Sequence, residues 1–113
     1  MKTGNENLHL LHIRDAVEKI LKYSSKITFD EFAKNDKDYD AILMQIIVIG
    51  EAVNNLSADF KEAHHDLPWY EAVGLRNRIA HGYVETRPDV VWATIKKDMP
   101  ELKKQIDQIL DNN

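Results

Sequence analysis

The residues of this 113-residue chain that could do chemistry lie together in one stretch, Gly74 to Tyr83. Within it, Arg76 is followed after four residues by His81 and after one more by Tyr83. An arginine carries a permanent positive charge on a planar fork that matches the oxygens of a phosphate. A histidine takes up and releases a proton near neutral pH. This pairing suits metal-free cleavage of RNA, whose 2′-hydroxyl is its own nucleophile and needs only a base, a cation and positioning.

The residues of this motif have predicted roles, and three of them also have a structural alternative. Arg76 is predicted to bind the phosphate and His81 to act as the base, so both are candidate catalytic residues. Asn77, Arg78 and Tyr83 are candidate auxiliary or phosphate-binding residues. In the alternatives, His81 is a helix-end histidine stabilised by the helix dipole, Arg76 belongs to a salt bridge, and Tyr83 is an interface aromatic.

One carboxylate, Glu51, directly follows the most apolar segment of the chain. A carboxylate at such a place needs a cationic partner, which either Arg76 or Arg78 can supply. We therefore predict that Glu51 is a supporting carboxylate for the site rather than a second base. His9 and His12 are spaced like a metal-binding pair but have no evident third ligand, so no metal or cofactor is predicted.

The composition is that of a small acidic chain without cysteine. Its 15 Lys and Arg against 19 Asp and Glu give a net charge of −4, which argues against non-specific binding to duplexes. The lack of cysteine excludes disulfides and thiolate catalysis. The length predicts a single domain over residues 1–113. No apolar run approaches the roughly 20 residues of a membrane helix, so we expect a cytoplasmic protein with no membrane partner.

Apolar residues repeat with the helical period almost throughout, which predicts an all-α bundle of four to five helices. The four main helices are expected at about 7–23, 39–56, 68–81 and from about 88 onward, with a short helix near 30–33 and a short turn near 58–64. Three aromatic residues at helical positions are interpreted as core side chains rather than as platforms for RNA bases: Trp69, Tyr70 and Trp92.

Residues with known capping preferences predict several helix ends. Thr28 with Glu31 forms a capping box at the short helix, and Ser57 can cap the short turn near 58–64. Gly82 is expected just past the end of the third main helix. The last helix is expected to be capped by Thr86 with Asp89, and to kink or break at Pro100.

Arg76 and His81 do not face the same direction on an ideal helix. They are about 140° apart, whereas Arg76 and Tyr83 are only about 20° apart. Either the helix ends before His81, or a second chain completes the site. Residues 41–50 are apolar nearly all round, which predicts a buried central helix that also forms a subunit interface. We therefore expect a two-fold homodimer.

The motif and its surroundings resemble the HepT-like (DUF86) branch of the HEPN-domain proteins. The likeness extends from Leu10 to about Leu110. It rests on Arg76-x4-His81-x-Tyr83, on Ile49-Gly-Glu-Ala52 with Leu56-Ser57, on Pro68-Trp69, and on Val90-Val-Trp92.

This resemblance implies a dimeric bundle in which two motif helices face each other across a shared cleft. It implies a metal-independent endoribonuclease that is the toxin of a HepT/MntA-type toxin–antitoxin system. The partner would be a minimal nucleotidyltransferase of the MNT type, which neutralises the toxin by adding AMP to the motif tyrosine, here Tyr83. In that family pattern Arg76 and His81 are catalytic and Asn77 is the polar residue beside the arginine. The alternative function is a non-catalytic, nucleotide- or RNA-binding helical partner subunit of a nucleotidyltransferase.

Overall fold

Six α-helices make up the described part of the chain, and no strand occurs within it. The computed structural model describes residues 3–82 and 86–111, with side chains from Glu6 onward within those ranges. The predicted all-α class is confirmed. The helices expected at about 7–23 and 39–56 begin about one turn earlier than expected. The helices are α1 (Thr3–Ser24), α2 (Phe29–Lys34), α3 (Asp36–Asn55), α4 (Ala58–Ala63), α5 (Trp69–Gly82) and α6 (Pro88–Asp111).

The central helix is α3, which packs against α1, α2 and α5. Its apolar residues Ile42, Ile46 and Ile49 are at most 1% exposed, while Met44 is 56% exposed. Helices of the same chain therefore cover most of the apolar surface at 41–50, and this pattern does not by itself require a subunit interface. In the described residues, no helix is both long enough and apolar enough to cross a membrane.

The predicted apolar faces of the first and last helices form a large part of the remaining core. Burying each large aliphatic side chain contributes about 1.5–3 kcal/mol relative to leaving it exposed. Leu21, Val90 and Leu110 lie at the edges of these faces and are only partly buried. The fully buried members are Leu10, Ile13, Val17 and Ile20 on α1 and Val91, Ile95, Met99, Leu102 and Ile106 on α6.

Two of the predicted helix caps are present. The Thr28 hydroxyl accepts a hydrogen bond from the Glu31 amide at 3.2 Å, and the Glu31 carboxylate accepts one from the Thr28 amide at 2.8 Å. At α4, the Ser57 hydroxyl accepts from the Phe60 amide at 3.0 Å. The same hydroxyl donates to the buried carboxylate of Glu6 at 2.6 Å, which fastens the start of α1 to the start of α4.

The predictions for the junction between α5 and α6 are wrong in two details. Thr86 does not occupy the cap position of α6, and its hydroxyl donates to the Gly82 carbonyl at the end of α5 at 3.0 Å. Since α6 begins at Pro88, its cap position falls on Arg87. Gly82 is the last residue of α5 rather than the residue after it. Farther along, α6 continues through Pro100, so the helix is not interrupted there, and a kink at this residue stays a prediction.

Aromatic side chains hold α2 against α3 and α6. The Phe32 ring lies 5.2 Å from that of Tyr39 and 5.1 Å from that of Trp92, centroid to centroid.

Trp69 is 6% exposed, and its indole N–H donates to the His64 carbonyl at 3.0 Å. The interpretation as core residues therefore holds for Trp69 and Trp92, which packs against the core, but it is wrong for Tyr70, which is 87% exposed.

A chain of ion pairs joins α1 to α6. The Asp107 carboxylate lies 2.6 Å from the Lys103 ammonium and 3.4 Å from the Arg14 guanidinium. The Lys103 hydrogen bond holds the pKa of Asp107 below its ordinary value of 3.8. A carboxyl with a lowered pKa stabilises the fold above its unfolded value, so this contribution is lost as the pH falls through the folded pKa. Because these groups are partly exposed, salt screens the contribution.

Candidate active site

The helix that carries the motif, α5, is unbroken from Trp69 through Gly82. The sequence allowed either a helix that ends before His81 or a site completed by a second chain. The first arrangement is wrong, because α5 continues past His81. Arg76 and His81 therefore remain about 140° apart around one helix axis. Arg76 is directed towards α3, while His81 is exposed in the last turn of α5.

The Arg76 guanidinium is held by two neighbours. Its Nη2 donates to Oε2 of Glu51 at 2.6 Å, and its Nη1 donates to Oδ1 of Asn77 at 2.9 Å. The predicted contact between Arg76 and Glu51 is therefore present, and it resolves which arginine pairs with this carboxylate. A charge-assisted bond of this length restricts the orientation of the guanidinium.

The Arg76 side chain keeps part of its bonding capacity for a ligand. It is 23% exposed, and the Glu51 side chain is 53% exposed. Its Nε is buried and has no hydrogen-bond partner among the described residues. Each terminal nitrogen keeps a second hydrogen, because an arginine has five N–H donors. The group can therefore donate to a phosphate oxygen while it is still held by Glu51 and Asn77.

A glycine that the sequence analysis did not single out determines how closely α5 approaches α3. A Cβ atom added at Gly50 would overlap the Cβ and Cγ atoms of Arg76, and it would lie 3.5 Å from the Ala72 carbonyl oxygen. Only a residue without a side chain fits at this contact. The available signal was an isolated glycine inside an otherwise apolar helix, which often marks close packing.

The remaining motif residues lie apart from the Arg76 contact. Arg78 is exposed and lines a groove between α5 and α6, which Arg76 does not line. Tyr83 lies outside the described residues, so its predicted role stays a prediction. His9 and His12 lie on α1, and the described residues contain no cluster of three His, Asp or Glu side chains placed to hold a metal ion.

Comparison with known proteins decides the family. The model of the Ribonuclease HepT-like family matches residues 13–109. The chain belongs to this family. That assignment confirms the resemblance drawn from the motif and its neighbouring segments, and it covers every helix that positions Arg76 and His81.

Several curated relatives match the HepT-like chain over most of their length. A protein of Caldanaerobacter subterraneus subsp. tengcongensis named as an RNase is 36% identical over 102 residues, covering 90% of this chain and 91% of the relative. A protein of Thermococcus cleftensis named as ribonuclease HepT is 33% identical over 109 residues, covering 96% and 98%. A Methanocaldococcus jannaschii protein named as an RNase is 31% identical over 98 residues, covering 87% and 90%. No solved structure matches the chain.

Proposed function

We propose that this HepT-like protein is a metal-independent endoribonuclease and the toxin of a HepT/MntA-type toxin–antitoxin system. The observation that carries the proposal is the placement of the motif. An arginine held by Glu51 and Asn77 and an exposed histidine stand on one continuous helix, inside the region matched by a ribonuclease family. The relatives named as RNases support the same reaction class.

In the proposed reaction, the RNA supplies the nucleophile and the protein supplies a base and a cation. His81 takes the proton of the 2′-hydroxyl, and the 2′-oxygen attacks the adjacent phosphorus. Arg76 donates hydrogen bonds to the phosphoryl oxygens, whose negative charge grows as the new bond forms. The bond to the 5′-oxygen breaks, and that oxygen takes up a proton from the protonated histidine or from solvent. The products are a 2′,3′-cyclic phosphate and a 5′-hydroxyl.

We place this reaction in a two-fold homodimer. A continuous α5 keeps Arg76 and His81 about 140° apart, so one chain does not direct both at the same phosphate. An isologous contact between two α5 helices brings each Arg76 near His81 of the partner subunit. The dimer is therefore proposed from the geometry of α5 rather than from the apolar segment of α3.

Cleavage in the presence of a chelator tests the proposed reaction class. We expect the purified protein to cut single-stranded RNA at an undiminished rate in excess EDTA, because proton transfer and phosphate binding come from side chains. Treating the fragments with acid and then phosphatase should reveal the cyclic phosphate ends. Loss of cleavage in EDTA, restored by a divalent cation, would contradict the mechanism. RNA that stays intact under all conditions but binds the protein would favour the non-catalytic alternative.

We further propose that a cognate MNT-type nucleotidyltransferase neutralises the protein by adding AMP to Tyr83. Tyr83 follows His81 by two residues in the sequence, and we propose that the attached phosphate takes the place of the RNA phosphate at Arg76. The adduct adds negative charge and bulk, which exclude the substrate by repulsion and by occupancy.

Mass spectrometry after co-expression with the nucleotidyltransferase tests this modification. We expect a mass increase of whole AMP units that maps to Tyr83, and we expect Tyr83→Phe to escape it and remain toxic. Tyr70 serves as the control for unspecific modification, because it is 87% exposed and therefore accessible to the nucleotidyltransferase. An adduct on Tyr70, or neutralisation that survives Tyr83→Phe, would show that the partner acts by another route.

A further inference from the structure

A groove of about 370 Å³ runs between α5 and α6 and lies over α3. Its floor is apolar and includes Ile46, Ile49, Leu75 and Met99. Gly74 lies at its edge, where an added Cβ would meet no atom within 4 Å. The groove therefore borders α5, the helix that carries the motif, and is unfilled at Gly74.

The rim of the groove combines an aromatic ring with charges of both signs. Tyr70, which is 87% exposed, lies at the rim. The charged lining residues are the carboxylates of Glu71 and Asp98 and one cation, Arg78. Two carboxylates against one cation disfavour a phosphate inside the groove. They suit a flat, uncharged group that carries N–H donors.

An RNA base has this chemistry. Bases in single strands stack on exposed aromatic rings, and their exocyclic amino groups donate to carboxylates. Adenine, cytosine and guanine each carry such an amino group, whereas uracil does not. The rim of this groove therefore matches three of the four bases better than the fourth.

The groove also lies close to the proposed reacting atoms. His81 follows Arg78 by three residues and is about 60° from it around the helix. A nucleotide with its base in the groove and its phosphate beyond Arg78 would thus present that phosphate near the proposed base. The side chains of the groove and of the motif can engage one RNA strand together.

We propose that this groove binds one base of the RNA beside the scissile phosphate and prefers a base with an exocyclic amino group. Tyr70 stacks on the base, and Glu71 and Asp98 accept from its amino group. This inference rests on the proposed ribonuclease function and specifies the substrate that the same site selects.

Oligodeoxynucleotides with a single ribonucleotide test this preference, because they restrict cleavage to one bond. The bases on the two sides of that bond are varied in turn among guanine, adenine, cytosine, uracil and hypoxanthine, which lacks only the amino group of guanine. At one of the two positions we expect kcat/KM to be about tenfold or more higher for guanine than for hypoxanthine, and higher for the amino-bearing bases than for uracil. Asp98→Ala and Glu71→Ala should reduce that ratio.

The Tyr70 variant separates stacking from selectivity. Tyr70→Ala should raise KM about tenfold or more for every base, while Tyr23→Ala, a partly exposed tyrosine on α1, should leave KM unchanged. All-deoxy versions of the same oligonucleotides, which cannot be cleaved, report binding by fluorescence anisotropy and should show the same order of bases.

The outcomes distinguish this inference from the proposed function. Cleavage of all substrates with equal kcat/KM would overturn the base subsite and leave the ribonuclease intact. Absence of cleavage would overturn the ribonuclease, and the anisotropy order would then decide the subsite alone. Equal binding of all bases, with a dimer lost in Tyr70→Ala, would overturn the base subsite and assign the groove to a protein contact.

Discussion

We expect replacement of His81 or Arg76 by alanine to lower kcat for RNA cleavage by at least about 10²-fold and to remove toxicity, while the helical fold remains. His81 is exposed, so its loss removes the proposed base without disturbing the core. Arg76→Ala removes the phosphate donors and leaves Glu51, which is half exposed and remains hydrated. Circular dichroism and initial rates on a defined RNA measure the two properties.

Matched controls make this result specific to the motif. His12→Ala removes an exposed histidine on α1, and Arg87→Ala removes an exposed arginine paired with Asp89. Both should retain wild-type rates. A His81→Ala protein with full activity would show that another group is the base, whatever the Arg76 variant does.

The second large effect is expected at Gly50. Alanine normally stabilises a helix by up to about 1 kcal/mol relative to glycine. At position 50 the new methyl group would overlap the Cβ and Cγ atoms of Arg76, so α3 and α5 must separate or Arg76 must move. We expect Gly50→Ala to lower the free energy of unfolding by about 1–3 kcal/mol, the usual cost of overpacking, and to lower kcat because the guanidinium shifts.

Gly74→Ala is the matched control for this substitution. It makes the same chemical change within α5, where the added Cβ would meet no atom within 4 Å. It should therefore raise the free energy of unfolding, measured by denaturant titration. A Gly50→Ala protein as stable as Gly74→Ala would contradict the close contact between α3 and α5.

Features that depend on local chemistry were predictable from the sequence. The helical period of the apolar residues predicts the four main helices. The Thr28 and Ser57 caps, which need only residues three positions away, indicate where the two short helices begin. The predicted Thr86 cap was wrong because α6 begins at Pro88, one residue later than that cap requires, and the sequence pattern alone does not fix this start. The prediction of Tyr70 as a core residue was wrong, because its position on a helix does not reveal that α5 and α6 leave a groove between them.

The partner of Glu51 was predictable, although the reason given for it was wrong. The contact with Arg76 spans 25 positions of sequence and is present. Glu51 lies within α3 and its side chain is 53% exposed, so burial does not force it to pair. The role of Gly50 was not accessible in the same way, because it depends on which residue of α5 crosses α3 at that point. The continuity of α5 through His81 also required the structure, since Gly82 is compatible with either a stop or one more helical turn.

The most direct test of a site shared between two chains is the activity of a purified mixed dimer. Arg76→Ala and His81→Ala chains carrying different affinity tags are co-expressed, and the heterodimer is isolated by both tags in succession. If Arg76 of one chain acts with His81 of the other, one of the two sites is intact, and activity per dimer is about half that of wild type. If both residues act from the same chain, neither site is intact. A heterodimer as inactive as the two parent variants, or a wild-type protein that is an active monomer, would contradict the shared site.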